Sequence, residues 1–186
     1  SSDVCSSDLD GLWSKESAIY APGSNLHRTP YCARNHEYYS EDPVLSALSG
    51  NALCIGLQNK GTMAEPKHFA FNHQESNRSG LSTFMTEQAA REIYLKPFQY
   101  AIEKGNAQGI MLTMCRVGWQ HTFGSYPLMT AICRDEFGFN GCYITDYTTS
   151  MKGKGSDQYL AAGGNLVHAT AEQTLSDVKS GWCRAL

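Results

Sequence analysis

Gly141-Cys142-Tyr143-Ile144-Thr145-Asp146-Tyr147 is a short β-branched and aromatic run that ends at a carboxylate. Gly141 precedes the apolar residues and the polar residues 148–150 follow them, a pattern typical of a buried strand. In parallel α/β folds the carboxyl ends of the strands carry the functional side chains, so Asp146 is placed to face a pocket. Its alternative role is to cap the following turn or helix, as aspartate at a strand end often does. These residues alone leave both roles open.

Outward from this run, strand patterns and helix patterns alternate along the chain. Strand patterns lie at residues 18–21, 62–65, 109–114, 141–147 and 165–168, and helix patterns lie at residues 43–60, 86–104, 126–137 and 158–162. A turn-rich loop is predicted through Gly118 and Gly124. Strand and helix in alternation, joined by right-handed crossovers, predict a parallel α/β fold. Roughly five strands with about four helices are too few to close an eight-stranded barrel.

The helix pattern over residues 86–104 is the clearest in the chain. Its apolar residues, Ile93 and Phe98 among them, fall on one face at the helical spacing. Pro97 predicts a kink inside this helix because proline removes a backbone donor. Gly105 predicts its end.

The composition fits one globular domain with a real core, at 41% hydrophobic and 18% charged residues in a chain of 186. A net charge of −3 gives no electrostatic reason to expect nucleic acid or anionic lipid as partners. No stretch is long and apolar enough to predict a membrane span. The cysteines are scattered singly with no C-x-x-C pair, which favours free thiols in a reducing, cytoplasmic setting. No metal or organic cofactor is expected.

Residues 1–9 form a segment apart. They have neither the basic nor the apolar part of a signal peptide, and they resemble the conceptual translation of a sequencing-library adapter. We therefore treat residues 1–9 as a non-native leader and residues 10–186 as the domain. We expect the true gene to run upstream of this chain.

Five stretches occur in a characteristic order: Ala21-Pro22-Gly23-Ser24-Asn25-Leu26-His27-Arg28-Thr29-Pro30, Arg34-Asn35-His36-Glu37-Tyr38-Tyr39-Ser40-Glu41-Asp42-Pro43, Pro66-Lys67-His68-Phe69, Arg91-Glu92-Ile93-Tyr94-Leu95-Lys96-Pro97-Phe98 and Ile144-Thr145-Asp146-Tyr147. Together they resemble the ordered signatures of glycoside hydrolase family 3, over roughly residues 13–167. Members of that family are mostly β-glucosidases and related exo-acting enzymes. The family fold is a (β/α)8 barrel followed by an α/β-sandwich domain. The resemblance implies that this chain is an incomplete TIM-type barrel whose parent also carries the sandwich domain.

The resemblance assigns roles to individual residues. It implies that Asp146 is the nucleophile of a retaining glycosidase, which forms a glycosyl-enzyme with a terminal β-linked sugar. It implies that Arg34, Lys67 and Arg78 bind hydroxyls of that sugar, with His68 beside them as a neutral partner. From the residues alone, Lys67 and Arg78 could equally be solvated, and Arg34 could stabilise a long loop through ion pairs.

The substrate-binding set is completed by an aromatic and a thioether side chain. Tyr147 is expected at the pocket wall, and Met114 stands where the family commonly has tyrosine or phenylalanine. Cys115 stands where the family commonly has asparagine. A methionine cannot hydrogen-bond a sugar hydroxyl as tyrosine can, so these departures bear on substrate affinity.

The family's general acid/base usually comes from the second domain. In this chain Glu37, Glu41 and Glu75 are acid candidates only by default. Loss of a general acid costs on the order of 10²–10⁴-fold in rate, so we expect the isolated chain to be inactive or nearly so. Two alternatives stay open: a non-catalytic sugar-binding remnant, and a structural α/β module whose cysteines and histidines bind metal.

Overall fold

Parallel strands and helices alternate in the computed structural model, which describes residues 13–147 and 156–168. The predicted leader at residues 1–9 lies outside the described residues. The strands are β1 (Ala18–Ile19), β2 (Met63–Ala64), β3 (Ser82–Thr83), β4 (Gly109–Met111), β5 (Arg116–Val117), β6 (Gln120–His121) and β7 (Cys142–Ile144). The α-helices are α1 (Pro43–Asn59), α2 (Glu87–Ala89), α3 (Lys96–Glu103) and α4 (Ser156–Ala161). Two segments have π-helical hydrogen bonds, Ala90–Tyr94 and Pro127–Glu136, and two are short 3₁₀ turns, Asn35–Glu37 and Thr122–Gly124.

Five parallel segments lie side by side in chain order. β1 pairs with β2, and β4 pairs with β7. A bridge between Phe69 and Leu112 joins the two ladders, and the Phe69 N–H donates to the Met111 carbonyl at 2.8 Å. Leu166 adds the fifth segment by bridging to Ile144. The predicted α/β alternation is therefore present, with each predicted strand pattern contributing one of these segments.

A second, smaller sheet was not predicted. β5 and β6 form an antiparallel hairpin, and β3 pairs with β5 in parallel. The sequence analysis placed a turn-rich loop here, which is wrong for β5 and β6. Gly118, at the hairpin turn, has a φ of +58°, a conformation that favours glycine. The strands are two residues each, too short for hydrophobic alternation to reveal them.

The helices begin and end close to their predicted limits. Asp42 accepts a hydrogen bond from the Leu45 N–H at 2.7 Å and so caps α1, with Pro43 in its first turn. The predicted helix over residues 86–104 is interrupted at Leu95, and Pro97 lies in the first turn of α3. This helix ends at Glu103 with Lys104 as its C-cap, so Gly105 stands just past its end as predicted, and the left-handed residue that follows is Asn106, with a φ of +49°.

The main hydrophobic core lies between the parallel strands and the helices from residue 90 onwards. It contains Phe69, Phe98, Ile110, Leu112, Met114, Phe123, Met129, Phe139, Tyr143 and Tyr159, each at most 4% exposed. Burying a side chain of this size contributes roughly 1.5–3 kcal/mol. Within the described ranges, no helix combines the length and the apolar character needed to cross a membrane. The main core thus packs the helices against the parallel strands.

Candidate active site

Asp146 lies just beyond the carboxyl end of β7 and is 8% exposed. Its backbone N–H donates to the Leu112 carbonyl at 3.1 Å, which fixes it at the edge of the parallel strands. The two carboxylate oxygens have different neighbours. Oδ1 accepts a hydrogen bond from the Tyr147 N–H at 2.7 Å, and Oδ2 lies 2.9 Å from Nη1 of Arg78. Asp146 therefore makes a local turn contact and an ion pair at once.

The predicted cations and three carboxylates form a continuous chain of alternating charge, which we call the charged chain. Its members in spatial order are Lys67, Glu37, Arg34, Glu75, Arg78 and Asp146. Lys67 Nζ lies 3.1 Å from Glu37 Oε2, and Arg34 Nη1 lies 3.8 Å from Glu75 Oε1. Glu37 also accepts a hydrogen bond from Arg34 Nε. The loop after β1, the end of β2 and the end of β7 thus meet at one edge of the sheet.

One nitrogen of Arg78 is shared between two carboxylates. Nη1 lies 2.9 Å from Asp146 Oδ2 and 3.4 Å from Glu75 Oε2. Both Nη1 and Asp146 Oδ2 are buried, and neither has an aligned hydrogen-bond partner among the described residues. The Arg78–Asp146 contact is therefore a close charge pair rather than a directed hydrogen bond.

Glu37 is held in its charged form. Burial opposes ionisation of this carboxyl, but hydrogen bonds and charges from Arg34 and Lys67 outweigh the burial and lower the pKa of Glu37 from its ordinary value. Arg34 shows the reciprocal effect, since its pKa is raised by Glu37 despite partial burial. The default assignment of Glu37 as a proton donor does not fit this environment.

A network of buried polar side chains hydrogen-bonds to Glu75, one member of the charged chain. Asn72 donates from Nδ2 to Glu75 Oε1 at 2.8 Å and to the Tyr38 hydroxyl at 3.0 Å. Its Oδ1 accepts from the Cys115 thiol at 3.3 Å. Burial raises the pKa of the Cys115 thiol, so this group keeps the proton that it donates. Asn72 is fully buried and has its side-chain donors engaged.

His68 is buried beside the charged chain. Burial first, and then the charges of Arg34, Lys67 and Arg78, lower the pKa of His68 to about 2, so its imidazole is neutral. Its backbone exchanges two hydrogen bonds with the Asn25 side chain, at 2.8 and 3.1 Å.

The other two predicted substrate-binding residues lie in different surroundings. Tyr147 is 51% exposed and meets the His168 ring edge to face at 5.1 Å, beside Asp146. Met114 is 4% exposed and belongs to the main core. The structure therefore brings Tyr147 to the site and places Met114 among the apolar side chains of the core, so a contact of Met114 with the sugar stays a prediction.

Sequence reasoning missed two structural features of this site. Asn72 was not identified, and Glu75 was considered only as a default acid. Both follow a buried strand end in the polar run Asn72-His73-Gln74-Glu75, and this position was the available signal. Within the described parts of the chain, no three His, Cys, Asp or Glu side chains are grouped so that they could hold a metal ion.

Known proteins resemble this chain in sequence and in structure. The N-terminal domain of glycosyl hydrolase family 3 matches residues 16–177. β-Glucosidase A of Butyrivibrio fibrisolvens is 43% identical over 130 residues, which is 70% of this chain and 16% of that protein. An exo-α-(1→6)-L-arabinopyranosidase of Bifidobacterium breve is 36% identical over 72% of this chain and 18% of its own length. The crystal structure of a Kluyveromyces marxianus β-glucosidase in complex with glucose covers 94% of this chain, with a TM-score of 0.86 and 28% identity, and this chain covers 21% of it. The chain thus spans about a fifth or less of these proteins.

Proposed function

This chain belongs to glycosyl hydrolase family 3, and on that premise we propose that it forms the nucleophile-bearing part of a retaining, exo-acting β-glycosidase. The observation that carries the proposal is Asp146 at a strand end, buried and paired with Arg78 in the charged chain. A retaining glycosidase needs one carboxylate that stays ionised and faces the sugar. The Arg78 guanidinium, 2.9 Å away, places a positive charge beside that carboxylate.

The chemical step follows from this placement. An oxygen of the Asp146 carboxylate attacks the anomeric carbon, and the bond to the leaving oxygen breaks as the glycosyl-enzyme ester forms. Water then attacks the same carbon and releases both the sugar and the carboxylate. The mechanism requires a second carboxyl group about 5–5.5 Å from the nucleophile, which protonates the leaving oxygen.

The carboxylates of the charged chain are poorly suited to that second role. Glu37 contacts Arg34 and Lys67, and Glu75 contacts Arg34 and Arg78. Both oxygens of each carboxylate already contact a cation, so neither carboxyl group has a free oxygen to offer a leaving group. We therefore assign the acid to a part of the protein outside the described residues, in keeping with the sandwich domain that the family resemblance implies. Turnover by this chain alone is expected to be slow or absent.

Sugar binding is assigned to the cations and to His68. Arg34, Lys67 and Arg78 each carry several N–H donors, and the neutral His68 ring offers a donor and an acceptor. Hydroxyl groups of a single terminal sugar can be satisfied by such a set. The relatives include a β-glucosidase and an arabinopyranosidase, so the proposal is kept at the level of terminal sugars.

We further infer that the five parallel segments are an arc of a (β/α)8 barrel. Their spatial order equals their chain order, which suits a singly wound barrel and not a sheet with a switch point. The likeness to the glucose-bound K. marxianus β-glucosidase supports the same assignment.

The test is covalent trapping with a 2-deoxy-2-fluoro-β-glucoside that carries an activated leaving group. Such a reagent needs little help from an acid, so it probes Asp146 separately from the proton donor. Intact and peptide mass spectrometry are applied to this chain, to its Asp146→Asn variant and to a version extended in both directions. We expect an adduct on the Asp146 peptide that the variant lacks. If both lengths are folded by circular dichroism and neither is labelled, the non-catalytic sugar-binding alternative replaces the proposal.

A further inference from the structure

Glu75 lies between Arg34 and Arg78, the arginine that pairs with Asp146. The mechanism proposed above gives Glu75 no role. Its Oε2 lies 3.4 Å from Arg78 Nη1, and its Oε1 lies 3.8 Å from Arg34 Nη1. The two contacts use different oxygens, so one carboxylate group spans both guanidinium groups. Arg34 and Arg78 come from separate loops, and Glu75 is their shared anion.

The orientation of Glu75 is itself fixed. Asn72 donates to Glu75 Oε1 at 2.8 Å from a fully buried amide. The same amide is held through Oδ1 by the Cys115 thiol and through Nδ2 by the Tyr38 hydroxyl. Cys115 lies directly before β5, and Tyr38 lies in the loop after β1. The orientation of the Glu75 carboxylate is therefore fixed, through Asn72, by two separate parts of the fold.

This arrangement limits how Arg78 can bind Asp146. Because Nη1 of Arg78 lies near both carboxylates, its positive charge is shared between Glu75 and Asp146 Oδ2. The Arg78–Asp146 contact is correspondingly close in distance but unaligned as a hydrogen bond. A carboxylate that must attack carbon benefits from an ion pair that stabilises its charge without fully occupying its lone pairs.

We propose that Glu75 is a positioning residue: it holds Arg78 and Arg34 in one charged unit and keeps the Asp146 carboxylate available for attack. This inference rests on the proposed function for its consequence in catalysis, although the hold on the two arginines is independent of any reaction. Asn72 acts one step further back, through Glu75. Glu75 is thereby assigned to arginine positioning and not to proton donation.

The hold on the arginines is tested first, with phenylglyoxal as the probe of arginine accessibility. Wild type, Glu75→Gln, Glu75→Asp and the matched control Glu103→Gln are modified under identical conditions, and each arginine is followed by peptide mass. Glu103 is exposed and accepts a hydrogen bond from Gln99 Nε2 at 2.8 Å, so its substitution removes a charge outside the charged chain. In Glu75→Gln we expect Arg78 and Arg34 to react about five-fold faster or more, since two charge contacts are lost.

Arg91 and Arg134 are the internal controls. Arg91 pairs with Glu87 and Glu136, and Arg134 donates to backbone carbonyls, so neither depends on Glu75. Their rates are expected to stay unchanged in every variant, and Glu75→Asp is expected to recover part of the protection of Arg78. An unchanged Arg78 rate in Glu75→Gln overturns the proposal. A parallel rise at all four arginines also overturns it, because Glu75 would then stabilise the fold in general.

The same variants are then labelled with the fluoroglucoside. We expect Glu75→Gln to label Asp146 about ten-fold more slowly or worse, Glu75→Asp to recover partially, and Glu103→Gln to match wild type. If Glu75→Gln labels at the wild-type rate, the catalytic part of the inference is wrong. If wild type itself is not labelled while the arginine map changes as expected, the proposed function fails and the hold of Glu75 on the arginines stands.

Discussion

Arg78 shows at the scale of one residue how much depends on the shape of a side chain. Its single Nη1 contacts both Glu75 and Asp146, and lysine cannot reproduce a rigid guanidinium. We predict that Arg78→Lys slows fluoroglucoside labelling of Asp146 by about 10–100-fold while the protein stays folded. The control is Arg28→Lys, since the Arg28 guanidinium lies over the Tyr94 ring at 5.4 Å and outside the charged chain. Equal labelling of the two variants would show that the Arg78 geometry is unimportant.

The sequence identified the charges of this site but not their pairing. Asp146, Arg34, Lys67 and Arg78 were all predicted, and the structure joins them. The joining carboxylate Glu75 could not be assigned, because its partner Arg34 lies 41 positions earlier, and Asp146, with which its other partner Arg78 pairs, lies 71 positions later. Pairings of that kind depend on loop conformation, which residue type does not determine. The roles of the paired residues in catalysis stay predictions.

At the scale of elements, the side chain of Arg134 connects several segments of the fold. It leaves the Pro127–Glu136 segment and donates to the carbonyls of Phe139, Gly141 and Gly163, at 3.1–3.3 Å. Its guanidinium also lies 4.6 Å from the Tyr143 ring centroid. One side chain thus connects a helix, the approach to β7 and the turn after α4.

We predict that Arg134→Ala lowers the free energy of unfolding by about 2–4 kcal/mol, since several charge-assisted hydrogen bonds are lost and their carbonyl partners are left unsatisfied. Urea denaturation followed by circular dichroism measures the change. Asp135→Ala, at the neighbouring exposed position, is expected to change stability by less than about 0.5 kcal/mol. A similar loss in both variants would assign the effect to the helix as a whole.

The limits of the long helices could be predicted from the spacing of their apolar residues. Which residues of a helix are buried could be predicted less well. α1 was predicted from Pro43 to Lys60 and is observed as Pro43–Asn59. Its buried face is made of Ser46, Ala47, Gly50, Cys54 and Leu57, while Val44, Leu45 and Leu48 are about half exposed. Cys54 and Leu57 pack in one buried cluster with Ala101 of α3, whereas Gly50 lies against Pro22 and Ser24 in the loop after β1. Which face of a helix is covered depends on its neighbours, and the sequence does not state them.

At the scale of the whole molecule, side chains beside the first and the fifth parallel segments lie close together. The Tyr20 ring, beside β1, lies 5.4 Å from the ring of His168, beyond the fifth parallel segment. A flat sheet would keep the first and last of five strands about 19 Å apart at the usual spacing. The closer approach shows that the sheet curves, which supports the barrel proposal.

Glu65 makes the stability of the whole chain depend on pH. It is 3% exposed, its Oε2 has no hydrogen-bond partner among the described residues, and burial raises the pKa of Glu65 to about 7. The folded protein therefore holds this proton more tightly than the unfolded chain, in which glutamate titrates near about 4.3. The contribution of Glu65 to stability therefore falls as the pH rises from about 4.3 to about 7, and its loss is complete above that range.

We predict that Glu65→Gln removes this loss. Because the glutamine is neutral at every pH, the variant should gain stability relative to wild type between pH 5 and pH 8, by up to roughly 3 kcal/mol at about 1.4 kcal/mol per pKa unit. Subtracting the two stability curves cancels the histidines, which titrate in both proteins. The measurement is urea denaturation at half-unit steps of pH, with Glu41→Gln as the exposed control that should give a flat difference. A flat difference for Glu65→Gln as well would mean that Glu65 reaches water or a cation in the folded protein, and that its carboxyl is ionised at neutral pH.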